Sequence, residues 1–284
     1  MVDLPFVKGH GTQNDFVVLP DPDASLHLSA SRVRALCDRA TGLGADGVLR
    51  VVPTASVPEV VDQADTTVWF MDHRNADGSL PQMCGNGIRL FVRYLVEAGL
   101  ATGPVVTVAT RGGPREVRVD GSSFAVDMGQ ARPLDVVDVP LVTVGTRTWP
   151  AVGAHVPNPH AVVFVDDLGD AGRLLEAPEV TPRTVYPDGV NVEFVVPLAA
   201  DRVSMRVFER GVGETRSCGT GACAVAWAWR RQQPDLETAP TTVEVDVPGG
   251  SVRVTERADG HLVLSGPAVI VARGAIDPAW WASH

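Results

Sequence analysis

Lysine is nearly missing from this chain. Of its 24 basic residues only Lys8 is a lysine, and the rest are arginines. Genomic base composition accounts for such a bias, yet it has a chemical consequence. A pyridoxal-phosphate enzyme needs a Schiff-base lysine, and Lys8 is the sole candidate. Cysteine is also sparse, at Cys37, Cys84, Cys218 and Cys223, too few for a secreted-type disulfide framework. No Cys-x-x-Cys occurs, and Cys218 and Cys223 are placed unevenly for one ion, so no metal is expected. No apolar run approaches the roughly 18 residues of a membrane span. The opening Met1-Val2-Asp3-Leu4-Pro5 lacks a basic-then-apolar signal character. A reducing cytoplasm is the expected compartment. Positive charge is short as well: the formal net charge is -10 and the pI about 5.1. That argues against nucleic acid or an anionic membrane as partner, while leaving room for an anionic small molecule held locally.

What is present is a repeat. Met83-Cys84-Gly85-Asn86-Gly87-Ile88-Arg89 has a counterpart in Ser217-Cys218-Gly219-Thr220-Gly221-Ala222-Cys223. Each reads Cys-Gly-polar-Gly and opens an apolar run with helical spacing: Leu90, Phe91, Tyr94 and Leu95 after the first, Ala224, Val225, Trp227 and Ala228 after the second. The surroundings repeat too. A polar turn precedes a Val-rich strand at Gly9–Leu19 and again at His155–Val165. Asp46-Gly47-Val48 is echoed by Asp188-Gly189-Val190, and Gly112-Gly113 with Asp120-Gly121 by Gly249-Gly250 with Asp259-Gly260. A helix is expected from Ser31 to Arg39 with Ser29 or Ser31 as N-cap and Cys37 in its core face. Pro53–Ala64 is expected to be loop, Thr66–Met71 a strand, and Asp72–Ser79 a polar turn leading to Cys84. His10, His73 and His155 are expected to be structural histidines.

At 284 residues, 45% hydrophobic and 20% charged, the chain has room for two domains. The expected fold is α/β (α+β), with two pseudo-symmetric domains from an internal duplication. Each is a mixed or antiparallel sheet wrapped around a central Cys-bearing helix, and the site lies in the cleft between them. The boundaries are drawn at 1–130, carrying Cys84, with 274–284 packing back onto it, and 131–273, carrying Cys218.

A Gly-rich turn opening a helix aims backbone N–H groups and the positive end of the helix dipole at whatever sits there. Gly85 and Asn86 on one side and Gly219 and Thr220 on the other are the candidate donors to a carboxylate. A free amino acid so held would have its α-carbon between two sulfurs. One thiolate then removes the α-proton and the opposite thiol returns one to the other face. A thiol near pKa 8.5 is only a few per cent ionised at neutral pH, and a helix dipole supplies about 0.3–1 kcal/mol. Neighbours must therefore help, and His160 and Glu209 are the candidates. A disulfide between Cys84 and Cys218 is disfavoured by the compartment, and a lone nucleophilic cysteine would leave the duplicate unexplained.

At these motifs the chain resembles the diaminopimelate epimerases, a pyridoxal-independent family. The match runs through His10-Gly11-x-x-Asn14-Asp15-Phe16, Asn75-Ala76-Asp77-Gly78-Ser79, Met83 to Gly87, Asn158-Pro159-His160, Gly189-Val190-Asn191, Glu209 to Thr215 and Cys218 to Ala222. The resemblance implies epimerisation of LL-2,6-diaminopimelate to the meso form, in lysine and peptidoglycan-precursor biosynthesis, by a cytoplasmic homodimer with no cofactor. It implies that Cys84 and Cys218 are the acid–base pair, tuned by His160 and Glu209. Asn14, Asn75, Asn158, Asn191 and Arg210 would hold the substrate's amino and carboxylate groups, with Glu209 beside them. The family often has Gln where this chain has Gly47, so that position is left out. Proline and hydroxyproline racemases share the two-cysteine design but typically carry Cys-Gly-His-Gly, where this chain has Asn86.

Overall fold

The structure is a computed structural model and describes residues 4–134 and 138–284. The first three residues of the opening read for signal character lie outside the described residues. The chain forms two compact units, one of residues up to Val126 together with Pro267–His284, the other Asp127–Gly266.

In chain order the first unit has strands β1 (Leu4–Gly11) and β2 (Asn14–Pro20), helix α1 (Ala30–Cys37), strands β3 (Gly47–Pro53) and β4 (Trp69–Asn75), helix α2 (Gly85–Glu97), then β5 (Val105–Val108), β6 (Arg115–Asp120) and β7 (Ser123–Gln130), which runs past the boundary. The second has β8 (Arg132–Pro133), β9 (Leu141–Val144), β10 (Arg147–His155), β11 (Pro159–Phe164), β12 (Glu179–Thr181), β13 (Asn191–Ala199), β14 (Arg202–Glu209), β15 (Gly213–Thr215), helix α3 (Gly219–Arg231), β16 (Thr242–Val247), β17 (Gly250–Glu256) and β18 (His261–Pro267). The chain then returns to the first unit with β19 (Val269–Ile276) and helix α4 (Pro278–Ala282).

The duplication reaches the level of strand pairing. In the first unit β1 pairs antiparallel with β2, β2 runs parallel to β3, and β3 pairs antiparallel with β4. In the second, β10, β11, β13 and β14 follow one another in the same senses. The parallel registers coincide: Phe16 faces Gly47, and His160 faces Asn191. The Cys helices occupy the same place in the two orders, each packed on its own unit's sheet. Ten residues of α2 are buried, from Gly85 through Leu95, as are ten of α3. An apolar surface on nearly every side is the pattern of a helix enclosed by its sheet.

Helix α1 takes Ser29 as its N-cap, the hydroxyl accepting from Arg32 N, and its Cys37 joins a core with Val17, Leu19 and Leu36. Trp280 and Trp281 pack against that core.

The segment 53–64 is not open loop. It winds into two 3-10 turns, Thr54–Ser56 and Pro58–Gln63. Strand β4 also sits further along than expected. It is paired with β3 from Trp69 to Asn75, so Asp72, His73 and Arg74 belong to the strand and not to the turn. Charged residues survive there because Asp72 is enclosed by Arg50, Arg74 and Arg111. A buried carboxylate is tolerable only when so paired.

Candidate active site

Cys84 is the N-cap of α2, in extended backbone (φ -139°, ψ 118°), and its sulfur accepts from Gly87 N at 3.3 Å. Gly85 and Asn86 therefore open the helix, where backbone N–H groups have no intrahelical acceptor. The thiol is 3.7 Å from Asn14 Oδ1, which also accepts from Asn86 Nδ2 at 3.3 Å. Asn14 is held from its other end: its Nδ2 donates to Asp46 Oδ2 at 2.8 Å, and the same oxygen accepts from Asp15 N. Arg89, wholly buried, donates to Asn86 Oδ1 and to Thr12 Oγ1, at 3.0 and 2.7 Å. The second bond anchors a two-residue hairpin turn whose residues Thr12 and Gln13 both have positive φ, 51° and 62°. That conformation is costly for a β-branched residue. Asn75 ends β4 and bonds Ser79 Oγ through Nδ2 at 2.9 Å. Opposite it, Gly47 lets the strands approach so closely that a Cβ there would lie 2.6 Å from the Arg74 carbonyl oxygen.

Cys218 repeats this geometry at the start of α3 (φ -117°, ψ 117°), with Gly221 N donating to its sulfur at 3.4 Å, and the sulfur and Thr220 Oγ1 are hydrogen-bonded at 3.5 Å. Gly219 and Thr220 are the opening residues here. What surrounds it differs. Glu209, the last residue of β14, bonds both Thr215 Oγ1 and the Cys218 thiol. Burial pushes the Glu209 carboxyl above its ordinary range, and the bonds from Thr215 and Cys218 offset part of that. Burial, followed by the charges of Glu209 and Glu193, pushes the Cys218 thiol well above its usual value. The thiol is thus the favoured form, despite the helix dipole.

His160 is fully buried, with Nδ1 2.7 Å from Glu193 Oε1 and Nε2 2.9 Å from Asn158 Oδ1. Asn191 is buried and spends its Oδ1 on the backbone N of Arg210, at 2.9 Å. Arg210 extends to solvent and donates to the Asp188 carbonyl at 3.0 Å. Asn191 therefore shapes the turn that presents Arg210.

A family model described as diaminopimelate epimerase matches residues 6–134 and 154–271. The chain is 53% identical over 281 residues to the diaminopimelate epimerase of Streptomyces coelicolor, covering 98% of this chain and 96% of that one. It is 45% identical over 294 residues to that of Rhodococcus opacus, with 98% and 99% covered. The chain belongs to the diaminopimelate epimerase family. Among solved structures, a phenazine biosynthesis protein of the PhzF family from Bacillus anthracis matches with a TM-score of 0.68 at 15% identity, over 98% of this chain and 100% of its own. This places the diaminopimelate epimerase fold alongside PhzF proteins as a shape and no more.

Two residues that the sequence reading did not single out belong with these groups. Asp46 orients Asn14, and Glu193 holds His160. Glu193 had a signal in the sequence, an acid inside the run Val192-Glu193-Phe194-Val195. Asp46 had none beyond an Asp-Gly pair that reads as a turn.

Proposed function

We propose that this chain is an isomerase that epimerises LL-2,6-diaminopimelate to meso-diaminopimelate, using Cys84 and Cys218 as a two-base pair and no pyridoxal phosphate. The observation that carries this reading, beside the family membership, is the recurrence of one arrangement. Each half has a cysteine at the N-cap of a buried helix, with a backbone N–H donating to the sulfur. In the proposed reaction one thiolate takes the proton from the substrate's α-carbon and becomes a thiol. The electron pair left behind is delocalised into the α-carboxylate, whose oxygens accept from the N–H groups of Gly85, Asn86, Gly219 and Thr220. The other thiol delivers its proton to the opposite face and becomes the thiolate. The two cysteines have exchanged states, and the reverse reaction starts from the exchanged enzyme.

Asn14, Asn75, Asn158, Asn191 and Arg210 are assigned to the amino and carboxylate groups of the substrate, the distal pair included. A guanidinium reaching to solvent suits a second carboxylate. His160 and Glu209 set the ionisation of the thiols. The enzyme is proposed to act in the cytoplasm, as a homodimer, in lysine and peptidoglycan-precursor synthesis.

The test is incubation with LL- and meso-diaminopimelate in D2O. Deuterium should enter at the α-carbon as the isomers interconvert. Either Cys84→Ala or Cys218→Ala should abolish interconversion, while Cys37→Ala, altered only in the core, should not. Turnover retained in either of the first two variants would overturn the two-base reading.

A further inference from the structure

The two halves differ most in what lies behind the cysteine turn. The shared register makes Phe16 the counterpart of His160, because they face Gly47 and Asn191, the first residues of β3 and β13. Two residues further along those strands stand Leu49 and Glu193. The glycines of the cysteine turns confirm the match. A Cβ on Gly87 would meet Leu49 Cδ2 at 3.3 Å, Cys84 Cβ at 3.4 Å and Phe16 Cζ at 3.5 Å. A Cβ on Gly221 would meet Glu193 Oε1 at 2.8 Å, Cys218 Cβ at 3.3 Å and Cys218 Sγ at 3.4 Å. One half therefore backs its cysteine with an apolar pair, and the other with a buried acid and imidazole at the same positions.

The asymmetry extends to a pair of asparagines. Two residues before Phe16 is Asn14, and two before His160 is Asn158. Asn14 has its amide fixed by a permanent acceptor, Asp46, on Nδ2. Asn158 has its Oδ1 on His160 Nε2. For that bond to form, Nε2 must carry a proton, and a second proton must lie between His160 Nδ1 and Glu193 Oε1. With both protons the pair is neutral overall. Neutrality suits the site, because Glu193 Oε2 is buried and has no partner among the described residues, and a full anion there would be costly.

We infer that Glu193 is a positioning residue: by sharing a proton with His160 Nδ1 it lets His160 keep a proton on Nε2, and that proton turns Asn158 so that its NH2 faces away from the ring, ready for a substrate carboxylate. When the pair loses one proton, Nδ1–H faces a carboxylate and Nε2 becomes an acceptor. Asn158 must then turn its NH2 inward and present Oδ1, which repels a carboxylate. The groups facing the pair from neighbouring elements are Glu209 at the end of β14, Cys218 at the start of α3, and Tyr186, whose Oη donates to the His160 carbonyl at 3.1 Å. Burial and the charge of Glu193 push the Tyr186 phenol up, so it remains a donor. Gly221 is required because any side chain would press on Glu193.

The substrate arm rests on the proposed contact of Asn158, so the experiment has a second arm without substrate. Protein labelled with 15N-histidine is examined by NMR at about pH 7.5, with His160 assigned by its loss in His160→Gln. In the parent, His160 should carry a proton on Nε2 and share a second on Nδ1. In Glu193→Gln the amide donates to Nδ1, so Nε2 alone should be protonated, whereas in Glu193→Leu, which copies Leu49 of the first half, Nδ1 has no partner to set the tautomer. The substrate arm compares KM: Glu193→Gln should keep the parent's value and Glu193→Leu should raise it about tenfold. A purely structural Glu193 would raise KM alike in both variants. A His160 without a proton on Nε2 in the parent would overturn the inference, and this needs no variant to fold. Should the NMR behave as stated while KM is unchanged in both variants, the pair stands and Asn158 is removed from the substrate's contacts.

Discussion

Replacing His73 by Phe should remove about 2.5 kcal/mol of the stability this protein loses between neutral pH and about pH 4.5. His73 lies in β4, is 4% exposed, and meets Phe16 edge-on with centroids 5.5 Å apart. Its Nδ1 is buried without a partner among the described residues. Burial first, then the nearby Arg111 guanidinium, lowers its pKa from 6.5 to about 4, with Asp72 opposing. Below 6.5 the unfolded chain takes up a proton that the folded chain refuses until about 4. Stability from this residue is therefore complete above 6.5 and is lost as the pH falls through that window. The whole gap corresponds to about 3 kcal/mol, of which about 2.5 kcal/mol is gone at pH 4.5. Phe has nearly the same shape, sacrifices no hydrogen bond and has nothing to protonate. Urea unfolding of parent and variant at about pH 7.5 and about pH 4.5 measures the effect as a difference of differences, which cancels the other acidic groups. The variant should match or exceed the parent at the higher pH. The parent should lose about 2.5 kcal/mol more than the variant at the lower. Equal losses in both proteins would refute the reasoning.

Asp46→Ala removes the fixed acceptor of Asn14 and should raise KM about tenfold, the worth of one charged hydrogen bond, with a smaller change in kcat. Steady-state kinetics on both isomers checks it. Gly221→Ala should cost more activity and about 1–3 kcal/mol more stability than Gly87→Ala. The first brings a methyl to 2.8 Å from a held carboxylate oxygen, and the second to 3.3 Å from a leucine methyl that can give way. Thermal melts and turnover of the two variants decide the order. Glu209→Asn copies the first half, where Asn75 likewise ends its strand. It should move the loss of activity at high pH to lower pH, because one of the charges that holds Cys218 protonated is gone. An unmoved alkaline limb of kcat would count against that role.

The strand order was legible because its punctuation is chemical. Asp-Gly and Gly-Gly pairs mark the turns, and Val-rich runs lie between them. The starts of α2 and α3 were legible from Cys-Gly-polar-Gly ahead of an apolar run. The register was not, since no local signal says that Phe16 and His160 stand at equivalent points. That is a property of parallel pairing across 31 residues in both halves, Phe16 to Gly47 and His160 to Asn191. Strand β4 was misplaced for a related reason. Asp72, His73 and Arg74 have the composition of a turn, and burial of Asp72 is tolerated because the distant Arg50 and Arg111 join Arg74 around it. Glu193 escaped notice because an acid in a strand ordinarily reads as the solvent-facing member of an alternation. Strand β13 is buried on both faces over Asn191–Val195, so there is no solvent face for it to occupy.

Proton transfer between two thiols requires that one begin as a base and the other as an acid. A perfect duplication would supply two equal groups and no preference. The turns share their frame, since in both halves the cysteine is an N-cap and the glycine three residues on donates to its sulfur, and they differ at Thr220, whose hydroxyl lies 3.5 Å from the Cys218 sulfur. The distinction must come from positions that the duplication placed alike and later divergence filled differently. Three such positions stand on the strands that carry the two sites. Phe16 stands against His160, Leu49 against Glu193, and Asn75 against Glu209, each pair at matching points of matching strands. In every case the titratable member is in the second half. Burial first pushes the Cys218 thiol up, and there these groups add negative charge or a shared proton to the same effect. The backbone supplies two equivalent places for a sulfur, and a small set of side chains behind one of them makes the two chemically unequal. Substitutions that restore equality at those positions should therefore damage the reaction more than they damage the fold, since the first half shows that the same backbone packs well around the apolar alternatives.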